Sequence, residues 1–519
     1  MKHIELFAGC GGLCLGLEKA GFRLKFANEL SPMASETFAF NLLNESLLEH
    51  PLPDSRKTVW LSSNFSTEEM GRRLREDPRT FPVDEKNCEL AEDGHNLDNG
   101  NLVVGNILSL NNWLKSRPEV TQRLQQENLD LVSGGPPCQS FSLAGLREKN
   151  NEKNSLPWAF ANFVDMVKPK ITLLENVTGI LRPFTENGQK YYAWFEVAKA
   201  FAKINYVPLA LHINAKFAGV AQNRPRFILI SVREDFFKTL ELNATEKKIF
   251  APCYAFWNKV QTEQAVSIDD LPVLDLNTEG SPAFDLFAAS FLSPLCTTRN
   301  SFTTVQEAIG DLAENGGAPS AYVKKINSIA KGILPHREMN GCAHNAVSER
   351  VKRRFRLYQV LTQLTKNENK DIWAVLSGKA LATQDDTWRA ISSFSFLQEN
   401  GKTRRFKNKD EFDCFLLNHQ TKKQIQRALV PSAPAPAALS IPDDACHYDE
   451  LRTLTVREMA RIQSFPDSFI FKSKSTTGGL NRRFEVPIYT QIGNAVPVLL
   501  GYALGECIRT LLSRQSHQE

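Results

Sequence analysis

A thiol, a carboxylate and two guanidinium groups stand at the ends of apolar runs in this chain. Cys138 lies in Val132-Ser133-Gly134-Gly135-Pro136-Pro137-Cys138-Gln139-Ser140-Phe141-Ser142, on a turn leaving a short strand expected over Leu129 to Ser133. A free thiol titrates at about 8.5, so it becomes a nucleophile near neutrality only where positive charge, backbone donors or a base lie close by. A lone cysteine is more often a buried structural residue, and only its neighbours can decide otherwise. Glu175 follows the apolar run Ile171 to Leu174 and suits either a cap or a working acid. Gln222-Asn223-Arg224-Pro225-Arg226 precedes the strand Phe227 to Ser231, so Arg224 and Arg226 share one face of an extended segment. Two such groups suit a carboxylate, a phosphate or a base edge.

The elements that must position these groups begin at the amino terminus. Ile4 to Leu6 reads as a strand that runs through Phe7-Ala8-Gly9-Cys10-Gly11-Gly12 into a helix from Leu13 to Ala20, which Gly21 closes. The glycine spacing departs from the six-residue dinucleotide fingerprint, and a Gly-rich turn without a ligand is the plain alternative. Glu29, twenty residues after Gly9, ends a second strand (Leu24 to Ala27), where an acid would take ribose hydroxyls; an adenosine-containing cofactor is implied. Further strands are expected at Leu102 to Gly105, Pro208 to Ile213 and Phe227 to Ser231, with helices such as Ala159 to Val167 and Trp194 to Ile204 between. Alternation of this kind argues an α/β fold with a mostly parallel, doubly wound sheet, whose ligands bind beyond the carboxyl ends of the strands. Gly9, Glu29, Cys138 and Glu175 all fall there.

Taken in order, Phe7 to Gly12, Pro137-Cys138-Gln139, Glu175-Asn176-Val177, Gln222-x-Arg224-x-Arg226, Arg452-Thr453-Leu454-Thr455-Val456-Arg457-Glu458-Met459-Ala460-Arg461 and Gly493-Asn494-Ala495-Val496-Pro497 make the chain resemble the DNA cytosine-5 methyltransferases of bacteria and phages. The resemblance implies a Rossmann-like domain holding S-adenosylmethionine, with a smaller mixed target-recognition domain. It implies a cofactor pocket of Phe7 on the adenine, Ala8, Gly9, Gly11 and Gly12 in the turn and Glu29 on the ribose, with Asn106, Ile107, Pro137, Asn494 and Val496 completing it. The family usually carries an acid where this chain has Asn106, whose amide oxygen can still accept a hydrogen bond. For catalysis it implies that Cys138 adds to carbon 6 of cytosine while Glu175 contacts the ring nitrogen at position 3. Carbon 5 then takes the methyl group, and loss of its proton expels the thiolate. Arg226 would hold the cytosine carbonyl oxygen, with Arg224 and Gln222 in the same block. The target base must leave the stack, at a cost of a few kcal/mol.

Outside these blocks the chain is less regular. Residues 45–100 form a turn-rich insertion with thirteen Asp/Glu against seven Lys/Arg, expected as a solvated surface excursion in a domain spanning 1–240. Residues 241–446 lose the strand–helix rhythm and are expected to be the target-recognition domain. Ala321 to Val360 there carries nine Lys/Arg against two acids, and Lys402-Thr403-Arg404-Arg405-Phe406-Lys407 is a second basic stretch. Both suit phosphate contact with double-stranded DNA, since a net charge of +4 makes local patches decisive. Pro431 to Ala437 reads as a linker, and 447–519 as a segment returning to the first domain.

Ten cysteines without finger-like spacing suggest no metal and a reducing cytoplasm; Cys342 and His344 lack companions. No stretch reads as a membrane span, and the first strand leaves no room for a targeting peptide. A cognate restriction endonuclease acting on the same site is a further expected partner. The rival readings are a tRNA cytosine-5 methyltransferase and a catalytically silent DNA-binding relative. The roughly two hundred residues between Arg226 and Arg452 favour DNA, because reading a duplex needs a second surface.

Overall fold

A computed structural model describes residues 1–48, 56–77, 87–137, 156–186, 189–299, 301–423, 426–437, 441–479, 481 and 484–516. Cys138 lies outside them.

Among the described residues, the apolar runs assemble into one nine-stranded sheet. Its strands are β1 (Lys2–Leu6), β2 (Arg23–Glu29), β3 (Thr58–Trp60), β4 (Asn101–Val104), β5 (Leu131–Gly134), β6 (Ile171–Val177), β7 (Tyr206–Asn214), β8 (Pro225–Arg233) and β9 (Val273–Leu276), in the spatial order β9-β7-β8-β6-β5-β1-β2-β4-β3. All pairings are parallel except those of β8, which runs against both β6 and β7. From β1 the chain winds outward through β2 and β4, then crosses back to lay β5 on the other side of β1. The order therefore reverses between β1 and β5. In open α/β sheets the ligand crevice lies beyond the carboxyl ends of such a pair.

Two close approaches knit the chain's ends together. Helix α1 (Gly12–Lys19) packs on the helix Val498–Leu512; a Cβ on Gly16 would lie 2.4 Å from the Tyr502 nitrogen, and one on Gly12 would lie 2.4 Å from the Val496 carbonyl. Only glycine admits backbones that near. The two successive helices Ile488–Asn494 and Val498–Leu512 correct one sequence expectation. By length and composition Ile488–Leu512 would qualify as a membrane span, but 67% of its apolar window is buried inside the protein, so its hydropathy is that of a core element.

The insertion also differs from a solvated excursion. Thr58–Trp60 adds the edge strand β3, and Arg73, 1% exposed, pairs with Glu89 at 2.7 Å beneath the Trp60 ring. Its acidic composition hides a strand of three residues.

The boundary drawn at 241 does not coincide with the change of core. Ala244–Gln261, β9, Val305–Ile309 and Ala321–Ile329 all bury their apolar faces in the core of the sheet. A second core gathers Phe355, Tyr358, Ile372, Phe396, Phe406, Phe412 and Phe415, drawn from helix α2 (Glu349–Leu361) and the elements after it. The helical and strand pieces of 244–329 are short and interrupted, which is why their periodicity reads as irregular. The expected linker is likewise seated. Ala435–Pro436 pairs with Gln222–Asn223, and Ala433 and Pro431 accept from the backbones of Val305 and Gln306.

Candidate active site

Glu175 and Arg226 meet because of strand register. Glu175 sits opposite Ile228 and Val177 opposite Arg226 on the antiparallel pair β6–β8, so the acid and the arginine are diagonal neighbours on one face. Arg226 Nε lies 2.6 Å from Glu175 Oε1, and both residues are 9% exposed. Burial lowers the Arg226 pKa, while the adjacent carboxylate pulls it back up. Gly135, just past β5, makes room: a Cβ there would stand 3.0 Å from Glu175 Oε2. Asn176 Nδ2 donates to the Pro136 carbonyl at 3.0 Å and ties the start of the Pro136-Pro137 turn to the end of β6. Pro137, the residue before Cys138, is exposed.

Arg224 is 1% exposed, and burial drives its pKa well down, with the neighbouring Arg226 adding to the shift. Its Nη2 donates to the carbonyls of Gly493 and Ala495, both at 2.9 Å. It thus fastens β8 to the Gly493–Pro497 segment, whose Asn494 is exposed and whose Val496 touches Gly12. Gln222 is placed apart from this group. Its amide is fully buried without a hydrogen-bond partner and lines a cavity of about 40 Å³ with Leu429, Ala435, Leu454, Met459 and Ile462. Side-chain direction at the start of a two-residue strand is set by its partner strand, Ala435–Pro436, two hundred residues away in sequence.

At the carboxyl end of β1, Phe7 is half-buried with φ +55°, a backbone state that bulky residues rarely adopt and that clusters at ligand sites. Ala8 is buried; Gly9 (φ +56°) and Gly11 (φ +96°) turn the chain into α1. The Glu29 carboxylate accepts from Gly9 N at 2.8 Å through Oε2 and from Ser31 N at 2.7 Å through Oε1, while burial raises its pKa. Asn106 caps the helix Ile107–Lys115: its Oδ1 accepts from Leu108 N at 2.9 Å, and Ile107 is buried beneath it. An amide oxygen has a second lone pair, so capping leaves Asn106 one acceptor site.

Sequence reasoning placed Gly135 and Asn176 in motifs without giving either a role, and it passed over Gln491. The last is buried and bonds to Thr37, Met33 and Val486, holding the helix before Asn494 against the helix Pro32–Phe38. Only the apolar residues around it, Ile488, Tyr489 and Ile492, hinted at a buried role. In the Arg452–Arg461 block the arginines are internal ties: Arg452 pairs with Glu458, Arg457 donates to the Pro466 and Phe469 carbonyls, and Arg461 pairs with Asp311 and Asp467.

The basic run splits similarly. Arg350 donates to the Asn418 carbonyl, Arg353 to His419 Nε2 and Arg356 to the Ser395 carbonyl, so three of its cations brace the second core. On the ribbon where Phe396–Leu397 pairs with Thr403–Arg404, Lys402, Arg405 and Lys407 are exposed.

A switch-point crevice, a strained Gly-rich turn and a carboxylate–guanidinium pair on β6 and β8 define an enzyme of the Rossmann-like α/β class. The family described as C-5 cytosine-specific DNA methylase matches residues 1–59 and 111–510, and the chain belongs to it. Its activity is that of a DNA cytosine-5 methyltransferase. It is 27% identical over 514 residues to the Type II methyltransferase M.DdeI of Desulfomicrobium norvegicum, covering 98% of this chain and 88% of that one. It is 25% identical over 531 residues to the Type II methyltransferase M.AgeI of Thalassovita gelatinovora, covering 99% and 100%. A solved prophage-encoded chain from Escherichia coli, described as a DNA modification methyltransferase, shares the fold at a TM-score of 0.50 and 18% identity over 99% of both chains.

Proposed function

We propose that this enzyme methylates cytosine within one short double-stranded DNA sequence and protects that sequence from a cognate restriction endonuclease in a bacterial cytoplasm. The Type II names of its relatives support the protective role. The observation that carries the chemistry is the Glu175–Arg226 pair, a carboxyl group and a fixed cation side by side at the mouth of the switch-point crevice.

The cofactor reading is S-adenosylmethionine, which supplies an electrophilic methyl group. The strained Phe7 backbone, the glycine turn and the Glu29 carboxylate aimed at it fit an adenosine, with Asn106, Ile107, Pro137, Asn494 and Val496 around the pocket. Cys138 adds to carbon 6 of the flipped cytosine, making carbon 5 nucleophilic. Glu175 steadies the proton at ring nitrogen 3, and Arg226 neutralises charge building on the adjacent carbonyl oxygen. Arg224 acts indirectly by clamping the Gly493 and Ala495 carbonyls. The second core, with its exposed Lys402, Arg405 and Lys407, is the recognition surface.

The test is incubation with S-adenosylmethionine and unmethylated DNA of high sequence diversity, followed by single-base mapping of 5-methylcytosine. Methylation confined to one motif is the expected result. Intact cofactor binding with no DNA methylation would overturn the reading and turn attention to tRNA.

A further inference from the structure

Three groups that the methyl-transfer chemistry does not use meet between β1 and α1. His3 and Glu5 share one face of β1, and Cys14 and Glu18, four residues apart, share one face of α1. The ligand atoms of His3, Cys14 and Glu18 all lie within 4.8 Å of one another. His3 is fully buried, and neither of its ring nitrogens has a hydrogen-bond partner. Cys14 is fully buried, and Glu5, 1% exposed, also leaves one carboxylate oxygen without a partner. A buried polar atom without a partner destabilises the fold, so the unligated cluster is an unfavourable arrangement for the sheet's first strand.

We propose that His3, Cys14 and Glu18 form a binding site for a thiophilic divalent cation of the zinc class, pinning α1 to β1 directly behind the Gly-rich turn. The donor set is one imidazole, one thiolate and one carboxylate, the mixed nitrogen, sulfur and oxygen set that such ions take. Tetrahedral ligands at about 2.0–2.3 Å from the ion lie closer together than 4.8 Å, so side-chain rotation must draw the three inward. Charge balances: a neutral imidazole, a thiolate and a carboxylate carry −2 against +2. Binding releases the Cys14 proton and any proton held by Glu18. Without a cation, burial drives all these groups to their neutral forms, raising Cys14, Glu5 and Glu18 and lowering His3. The site escapes spacing rules because its ligands come from a strand and the following helix, eleven residues apart, with no finger-like repeat.

The test uses the full-length, untagged enzyme. After exposure to zinc(II) and exhaustive dialysis, elemental analysis should find about one bound zinc per chain, and cobalt(II) titration should raise a thiolate-to-cobalt charge-transfer band in the near ultraviolet. Cys14→Ser should abolish the band. His3→Gln, checked for folding by circular dichroism, should bind cobalt(II) at least about tenfold more weakly. A Cys342→Ser, His344→Ala double variant should bind as the parent does. The proposal is overturned if the parent retains only traces of zinc and shows no charge-transfer band, or if both Cys14→Ser and His3→Gln keep the parent's metal content and spectrum. A chelator should lower the melting temperature of the parent and leave that of His3→Gln unmoved; equal shifts in both would also overturn it.

Discussion

The sheet core and the second core solve the burial of polar groups in opposite ways. In the sheet core, apolar side chains dominate the middle of β6 and β8, and the charged pair Glu175–Arg226 joins the two strands. In the second core, aromatic rings dominate, and cations run along its flank: Arg350, Arg353 and Arg356 from one helix bond to carbonyls and an imidazole. A site that does bond-making needs a rigid frame with few polar groups, each held by a specific partner. A surface that reads DNA needs spare positive charge, and here only the cations not already used as braces are free to supply it.

The contrast can be broken most sharply at the chemistry. Cys138→Ser should lower methylation by about 10³-fold or more, with DNA binding close to the parent's. Glu175→Gln should lower the rate by about 10²–10⁴-fold while cofactor affinity holds. Single-turnover assays beside binding titrations check both, and retained activity in Cys138→Ser would remove the nucleophile assignment.

A smaller effect is expected at the ribbon. Replacing Lys402, Arg405 and Lys407 together by alanine should weaken DNA binding and make the fall of log K with log salt shallower, by about 0.9 for each phosphate that the variant no longer neutralises. The rate on saturating DNA should stay unchanged. An unaltered salt slope would return those residues to the status of solvated surface.

Acid should loosen the second core. His419 Nδ1 lies 2.7 Å from the Phe415 carbonyl while Nε2 accepts from Arg353, which suits a neutral ring. Burial lowers its pKa, and Arg353, Arg350 and Arg354 push it the same way. A depressed folded pKa means the stabilisation is fully present above the unfolded value of about 6.5 and is lost as pH falls through the folded one. Hydrogen-exchange protection in the second core, corrected for the intrinsic pH dependence of exchange, should therefore fall below about pH 6.5, an effect weakened in His419→Gln. The mildest probe is thiol labelling of the native protein: exposed Cys342 and Cys414 should react, and Cys253, whose buried thiol is pushed up to about 12, should react only after unfolding.

The sheet was legible because most of its strands carry short apolar stretches that stop near a glycine, an acid or an arginine. β3 and β9 were not: Thr58–Trp60 is three residues inside an acidic stretch, and Val273–Leu276 is a half-exposed edge. At the site, the strand-end positions of Glu175 and Arg226 could be read from the chain, since register on a strand follows simple alternation. The orientation of Gln222 could not, because Ala435–Pro436 sets it from across the molecule. The basic helix misled for a related reason. A run of cations has the same composition whether it faces a phosphate or a neighbouring carbonyl.

The close packing of α1 on Val498–Leu512 has a consequence for synthesis. The turn after β1 leaves the ribosome hundreds of residues before the helix against which it packs. The two faces cannot meet until Val498–Leu512 has been made, so a shorter nascent chain carries no assembled crevice, and a chain truncated before Val498 would leave α1 without its partner.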